Sequence, residues 1–217
     1  MRGRSMKTTI YLTRHGQTEW NLETRLQGRG DSALTSEGIK GAQQLAKRVA
    51  TLQLECIYTS PLTRAIQTAQ LIRGRQEIPI IQCEDLVEMS FGEYEGQRIE
   101  DLKKQNAKWD IRAIMAGDLV MCAPGGETQE ALRQRVAYAM DNILKQNKGK
   151  TLLIVGHGMT LKAVMYYFND LEATGTVMRQ TTLTKIEIEE TTEARKVHIV
   201  YKNDGQHLTL KSQQMGW

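Results

Sequence analysis

Three times along this 217-residue chain a short apolar run stops at polar residues where a strand would be expected to turn. Residues 8–13 (TTIYLT) stop at Arg14-His15-Gly16. Residues 56–59 (CIYT) stop at Ser60-Pro61-Leu62-Thr63-Arg64, and residues 151–155 (TLLIV) at Gly156-His157-Gly158. The second and third runs are followed by AIQTAQLI and MTLKAVMYYF, whose apolar residues recur at helical spacing. Between them, residues 36–52 place Ile39, Ala42, Leu45, Ala46 and Val49 on one helical face, and residues 127–144 form a second amphipathic helix approached through Pro124-Gly125-Gly126. Strands alternating with helices predict an α/β layer fold around a mainly parallel sheet. Residues 184–189 (TKIEIE) and 196–201 (KVHIVY) alternate apolar and polar side chains, as an antiparallel pair at one sheet edge would. Residues from about 84 to 126 are the least regular and read as a lid-like insertion over one end of the sheet. The whole chain, 1–217, is expected to form a single domain, with Met6 as the natural start and residues 1–5 as a leader.

In open α/β sheets, ligands collect beyond the carboxyl ends of the strands. All three polar stops lie at that end, so Arg14, His15, Arg64 and His157 are expected to converge on one anion pocket. Helices starting after Ser60 and after Gly158 would add backbone donors and positive dipole ends, which suit a phosphate. Pro61 fits a first helical position and Ser60 the cap before it. Gly16 and Gly158, lacking a Cβ, would let the backbone approach the anion closely. Singly these features are bland, since a histidine after a strand is commonly a packing residue and Arg64 alone would be a solvated helix residue. Their force lies in recurrence at three corresponding strand ends.

Other classes find little support. The net charge of +4 is modest, and the basic residues are interspersed with acidic ones, so nucleic-acid binding is not expected. No apolar run approaches the ~20 residues of a membrane-spanning helix. The amino terminus lacks the apolar core of a signal peptide. Cys56, Cys83 and Cys122 are odd in number and far apart, which fits free thiols in a cytoplasmic protein. The four histidines (His15, His157, His198 and His207) show no metal-ligand spacing, so no metal is expected. No Walker-type loop is present, which disfavours an ATP-driven kinase.

The stretch Arg14-His15-Gly16-Gln17-Thr18-Glu19-Trp20-Asn21 resembles the signature of the histidine phosphatase superfamily, in the branch that holds cofactor-dependent phosphoglycerate mutases and related phosphatases. Residues 26–38 (LQGRGDSALTSEG), 59–69 (TSPLTRAIQTA), 88–96 (EMSFGEYEG), 124–128 (PGGET) and 155–158 (VGHG) agree in order and spacing. The resemblance runs from about residue 9 to 161. It implies a three-layer α/β/α, phosphoglycerate mutase-like fold. It also implies that His15 is a nucleophile forming a phosphohistidine. Arg14, Arg64 and His157 then hold the phosphoryl oxygens, and guanidinium forks suit that task. Glu88 matches the general acid, which burial and a neighbouring phosphate would raise in pKa. Asn21, Gln27 and Gly28 match positions that touch phosphate or substrate in relatives. Cationic Arg14 and Arg64 should keep His15 neutral and able to attack.

Two outcomes share such a site: a mutase returns the phosphoryl group to its substrate, and a phosphatase passes it to water. The mutases of this branch usually carry Arg after the acid and Asn after Gly-His-Gly, where this chain has Met89 and Met159. Their insertion holds an Arg pair and several prolines, which residues 101–123 lack. The expectation is therefore a cofactor-free phosphatase for small phosphomonoesters. A cofactor-dependent mutase, a specialised phosphatase (for a ribazole phosphate, for example) and a non-catalytic phosphate-binding module are the alternatives. Tyr94 and Ala33 depart from the Trp and Pro common at those positions. A partly apolar insertion (Trp109, Ile111, Ile114, Met115 and Met121) suggests that hydrophobic esters could be accepted, although packing against the domain explains it equally well.

Overall fold

The computed structural model describes residues 6–105, 110–170, 178–191 and 194–209; Trp109 and residues 1–5, read above as a leader, lie outside them. Its centre is a six-stranded sheet built from β1 (Met6–Arg14), β2 (Cys56–Thr59), β3 (Ile80–Gln82), β4 (Thr151–Gly156), β5 (Leu183–Glu190) and β6 (Arg195–Asp204), in the order β3-β2-β4-β1-β5-β6. The first four strands in that order are parallel. β5 runs antiparallel to β1, and β6 antiparallel to β5, giving the expected edge pair. β3 was not anticipated: three residues on an edge, directly after Pro79, are too few to show a period.

The central strands are buried on both faces, which is why they read as nearly continuous apolar runs. Ile10, Leu12, Leu152 and Ile154 face one way, into a core shared with α6 (Gln129–Gln146) and α7 (Gly158–Tyr167). Tyr11, Ile57, Leu153 and Val155 face the other, against α2 (Ser36–Val49) and α3 (Thr63–Arg73). Three layers result, helix–sheet–helix. The insertion holds 3-10 turns at Glu84–Leu86 and Gly92–Tyr94 and two short helices, α4 (Ile99–Lys104) and α5 (Ile111–Ala116). It carries Leu86, Met89, Phe91, Tyr94, Ile99, Ile111 and Ile114 into the α6–α7 core. Each such side chain stabilises the fold by about 1.5–3 kcal/mol when fully buried, so this segment is anchored and not merely laid over the sheet.

Register sets the site. Arg14 at the end of β1 pairs with Gly156 at the end of β4, and Thr59 at the end of β2 pairs with Val155. His15, Ser60 and His157 therefore emerge side by side. One local expectation is corrected. α3 begins at Thr63, with Leu62 at its cap position and no side-chain cap, so Pro61 is not its first residue and Ser60 does not cap it. The Ser60 hydroxyl instead accepts the Leu62 N–H (3.2 Å), closing a tight turn that delays the helix. α7 begins at Gly158 itself, with His157 at the cap position. Among the described residues, no helix is long and apolar enough to cross a membrane.

Candidate active site

His15 leaves β1 fully buried, and its orientation is set by its own successor. Its Nδ1 lies 2.7 Å from the Gly16 carbonyl oxygen. A carbonyl only accepts, so Nδ1 carries the proton and Nε2 keeps the lone pair, the tautomer a nucleophile needs. Gly16 is fixed in turn: its N–H donates to Thr68 Oγ1 (3.0 Å), and Thr68 donates to the Arg64 carbonyl (2.7 Å). The His157 ring lies 5.2 Å from that of His15, centroid to centroid. Both ring nitrogens of His157 are buried without a hydrogen-bond partner among the described residues, as are Nε of Arg14 and Nε of Arg64. Buried polar groups are normally paired, so these atoms mark a place for a polar ligand.

Electrostatics agree with that assignment. Burial, then Arg64 and Arg14, pushes the His15 pKa well below its ordinary 6.5, although the Gly16 hydrogen bond opposes the shift. His157 is lowered likewise, first by burial and then by Arg64, His15, Arg14 and Arg135. Burial lowers even Arg14, to about 10, with Glu88 opposing. Both rings are thus neutral at physiological pH, among guanidiniums that remain charged. Arg64, the second residue of α3, donates to the carbonyls of Gly30 (2.7 Å) and Gly28 (2.6 Å), tying the 28–30 loop to the site.

Glu88 completes the wall, and its partners overturn one expectation. The first N–H groups of α7, expected to face the phosphate, hold Glu88 instead. Met159 N donates to Oε2 (3.1 Å) and Thr160 N to Oε1 (3.1 Å), joined by the Thr160 hydroxyl (3.0 Å) and Met89 N (2.8 Å). A helix N-terminus attracts any nearby anion, and here a carboxylate reaches it. Gly16 is also recast. A Cβ there would lie 2.7 Å from the Gly38 carbonyl, so its lack of a side chain admits α2 rather than an anion.

One cavity gathers most of the expected residues. Arg14, His15, Arg64 and Glu88 line it together with Asn21, Gln27, Gly28 and Gly158, enclosing about 520 Å³ including the open mouth. Asn21 completes the capping box at the start of α1 (Glu19–Leu22), its amide oxygen accepting the Thr18 N–H (3.0 Å), and so combines a capping role with a place on the wall. Gly28 has φ of +54°, and its missing Cβ makes space for the Glu95 carboxylate. Sequence reasoning missed Arg25, Leu26, Phe91 and Ile99, which line the cavity with Met159. Phe91 and Ile99 fall within the insertion, and only its path across the sheet end brings them here. Ile111 and Ile114, expected as candidates for ester contact, turn into the core instead.

Comparison with known proteins places this geometry. The sequence profile of the histidine phosphatase superfamily (branch 1) matches residues 10–203. The chain belongs to that superfamily. Its similarity to the probable phosphoglycerate mutase GpmB of Enterobacter sp. (strain 638) is 37% identity over 152 residues, covering 70% of each chain. Bacillus stearothermophilus YhfR superposes with a TM-score of 0.81 at 37% identity, over 92% of this chain and 98% of that one. A mutant phosphoserine phosphatase of Entamoeba histolytica, solved with phosphoserine, gives a TM-score of 0.78 at 30% identity, over 93% of this chain and 100% of that one. Members of this superfamily are phosphatases or mutases, and the α/β fold is the one they share.

Proposed function

We propose that this histidine phosphatase is a metal-independent phosphomonoesterase that works through a phosphohistidine on His15. The observation that carries the reading is the His15 tautomer: Nδ1–H donates to Gly16 O, leaving Nε2 lone-paired in a cavity walled by Arg14 and Arg64. In the first step Nε2 attacks phosphorus, the N–P bond forms, the ester P–O bond breaks, and the leaving alkoxide takes a proton from Glu88. In the second, water attacks phosphorus while Glu88 takes its proton, and the N–P bond breaks to release phosphate and free His15. Arg14, Arg64 and His157 hold the charge that spreads over the phosphoryl oxygens. Asn21, Gln27 and Gly28 bound the substrate side. The partner is a small phosphomonoester, and a reducing cytoplasm suits Cys56, Cys83 and Cys122, which are free thiols in the structure.

Hydrolysis is favoured over mutase action by the two methionines. Met89, where mutases of this branch carry an anchoring Arg, is fully buried in the core, and Met159, an uncharged residue, lines the cavity. Arg25 lines the cavity, but its Nε pairs with Glu23 and its Nη1 with the Gly96 carbonyl (2.8 Å). The test is hydrolysis of p-nitrophenyl phosphate with excess EDTA. Turnover is expected to survive chelation and to fall at least about 10³-fold in His15→Ala, a loss typical of a missing nucleophile. Loss of activity on chelation would overturn metal independence. Interconversion of 3- and 2-phosphoglycerate in place of phosphate release would restore the mutase reading.

A further inference from the structure

Glu88 lies between two 3-10 turns, outside any helix or strand, yet a proton donor must be held to a fraction of an ångström. Its carboxylate is fixed from α7. Its backbone is fixed from α6, by a side chain that does not line the cavity. Arg135 Nη1 donates to the carbonyls of Asp85 (2.7 Å) and Val87 (2.8 Å), and Nη2 to that of Glu88 (3.2 Å). The same guanidinium pairs with Glu127, Nε to Oε1 (2.7 Å) and Nη2 to Oε2 (2.9 Å). Glu127 then grips the far side of the acid. Its carboxylate accepts the Ser90 N–H (3.3 Å), and its own N–H donates to the Ser90 carbonyl (2.8 Å). Both side chains are largely buried, at 15% and 11% exposure. A buried ion pair is a poor stabiliser compared with apolar packing of the same volume. What this one supplies is geometry, because a planar fork can bridge several acceptors at once.

We propose that the Arg135–Glu127 pair positions the general acid, clamping residues 85–90 so that Glu88 stays set to protonate the leaving group. The proposal rests on the reading of Glu88 as proton donor given above. Its consequence depends on the leaving group. An alkoxide cannot depart without a proton, whereas p-nitrophenolate leaves as a stable anion. A displaced acid therefore slows alkyl esters selectively, while a damaged fold slows both kinds alike.

The experiment compares Arg135→Lys, Glu127→Gln and Glu88→Gln on p-nitrophenyl phosphate and on glycerol 2-phosphate, with kcat and KM measured for each. Arg135→Lys keeps the charge and loses the fork. It is expected to lower kcat on the alkyl ester about 10- to 100-fold and on the aryl ester less than about threefold, with KM little changed, a partial loss of the roughly 10²- to 10⁴-fold that acid catalysis contributes. Glu88→Gln should show the same selectivity more deeply. Equal losses on both esters in Arg135→Lys, with Glu88→Gln selective, would overturn the proposal and leave the acid assignment standing. Absence of selectivity in Glu88→Gln would remove the acid assignment and this proposal with it. If circular dichroism shows Arg135→Lys to be unfolded, Glu127→Gln decides by the same ratio: selective loss supports the clamp and equal loss rejects it.

Discussion

A nucleophile is only as well placed as the atoms behind it, and here one hydroxyl stands behind two functional groups. Thr68 accepts the Gly16 N–H and donates to the Arg64 carbonyl, so the backbone that orients His15 and the backbone that carries Arg64 meet at a single oxygen. Thr68→Val keeps the volume and deletes the hydroxyl, which leaves the Gly16 N–H buried without an acceptor. That omission costs about 1–3 kcal/mol. It also frees the Gly16 carbonyl that holds the His15 tautomer. Urea denaturation should show the stability loss, and kcat on p-nitrophenyl phosphate should fall with it, while Thr68→Ser retains both. Unchanged stability and rate in Thr68→Val would show that Gly16 is held by other contacts.

Between elements, one very close approach is of backbone to backbone. Gly38, in the first turn of α2, would place a Cβ 2.1 Å from the Gln17 carbonyl oxygen and 2.7 Å from its nitrogen. Neither atom can move without moving the loop that leaves His15. Gly38→Ala is accordingly expected to destabilise by about 1–3 kcal/mol, the usual cost of overpacking, and to lower activity by shifting α2 against that loop. A thermal melt and the aryl phosphate assay check this, and a melt within error of the parent would contradict it. This contact also shows what the sequence could and could not convey. The strand ends were legible because buried apolar runs stop at charges, and a sheet must bring such ends together. The start of α3 was not legible, because Ser60-Pro61 satisfies the usual preferences at a helix start while the Ser60 hydroxyl closes a turn of its own. The grip of α7 on Glu88 was hidden for another reason: Met159 and Glu88 are 71 residues apart, and only the path of the insertion joins them. Leu26, Phe91 and Ile99 were missed for the same reason, since apolar residues in an irregular stretch give no sign of which wall they will form.

For the molecule as a whole, neutral buried imidazoles make stability depend on pH. His15 and His157 are held well below 6.5, first by burial and then by neighbouring cations. His207 is lowered too, chiefly by burial. Its Nε2 donates to the Thr181 carbonyl (2.8 Å), so Nδ1 must accept from Arg48 Nη1 (3.2 Å), an arrangement that a second ring proton would break. In the unfolded chain these histidines take up protons as pH falls through 6.5, while in the folded chain they do not. The unfolded state then binds more protons, so stability falls with falling pH, by up to about 1.4 kcal/mol per pH unit for each histidine, until the folded pKa is reached. Above 6.5 the effect is absent. Urea denaturation at pH 7.5 and 5.5 should give a lower midpoint at the acid value, well above the range where carboxylates titrate. His157→Asn should shrink the difference, because one titrating group is gone. Inorganic phosphate should shrink it as well, since an anion among these rings stabilises their protonated form and binds only the folded chain. A midpoint that does not move between the two pH values would contradict the neutral, buried state of the histidine pair on which the His15 nucleophile depends.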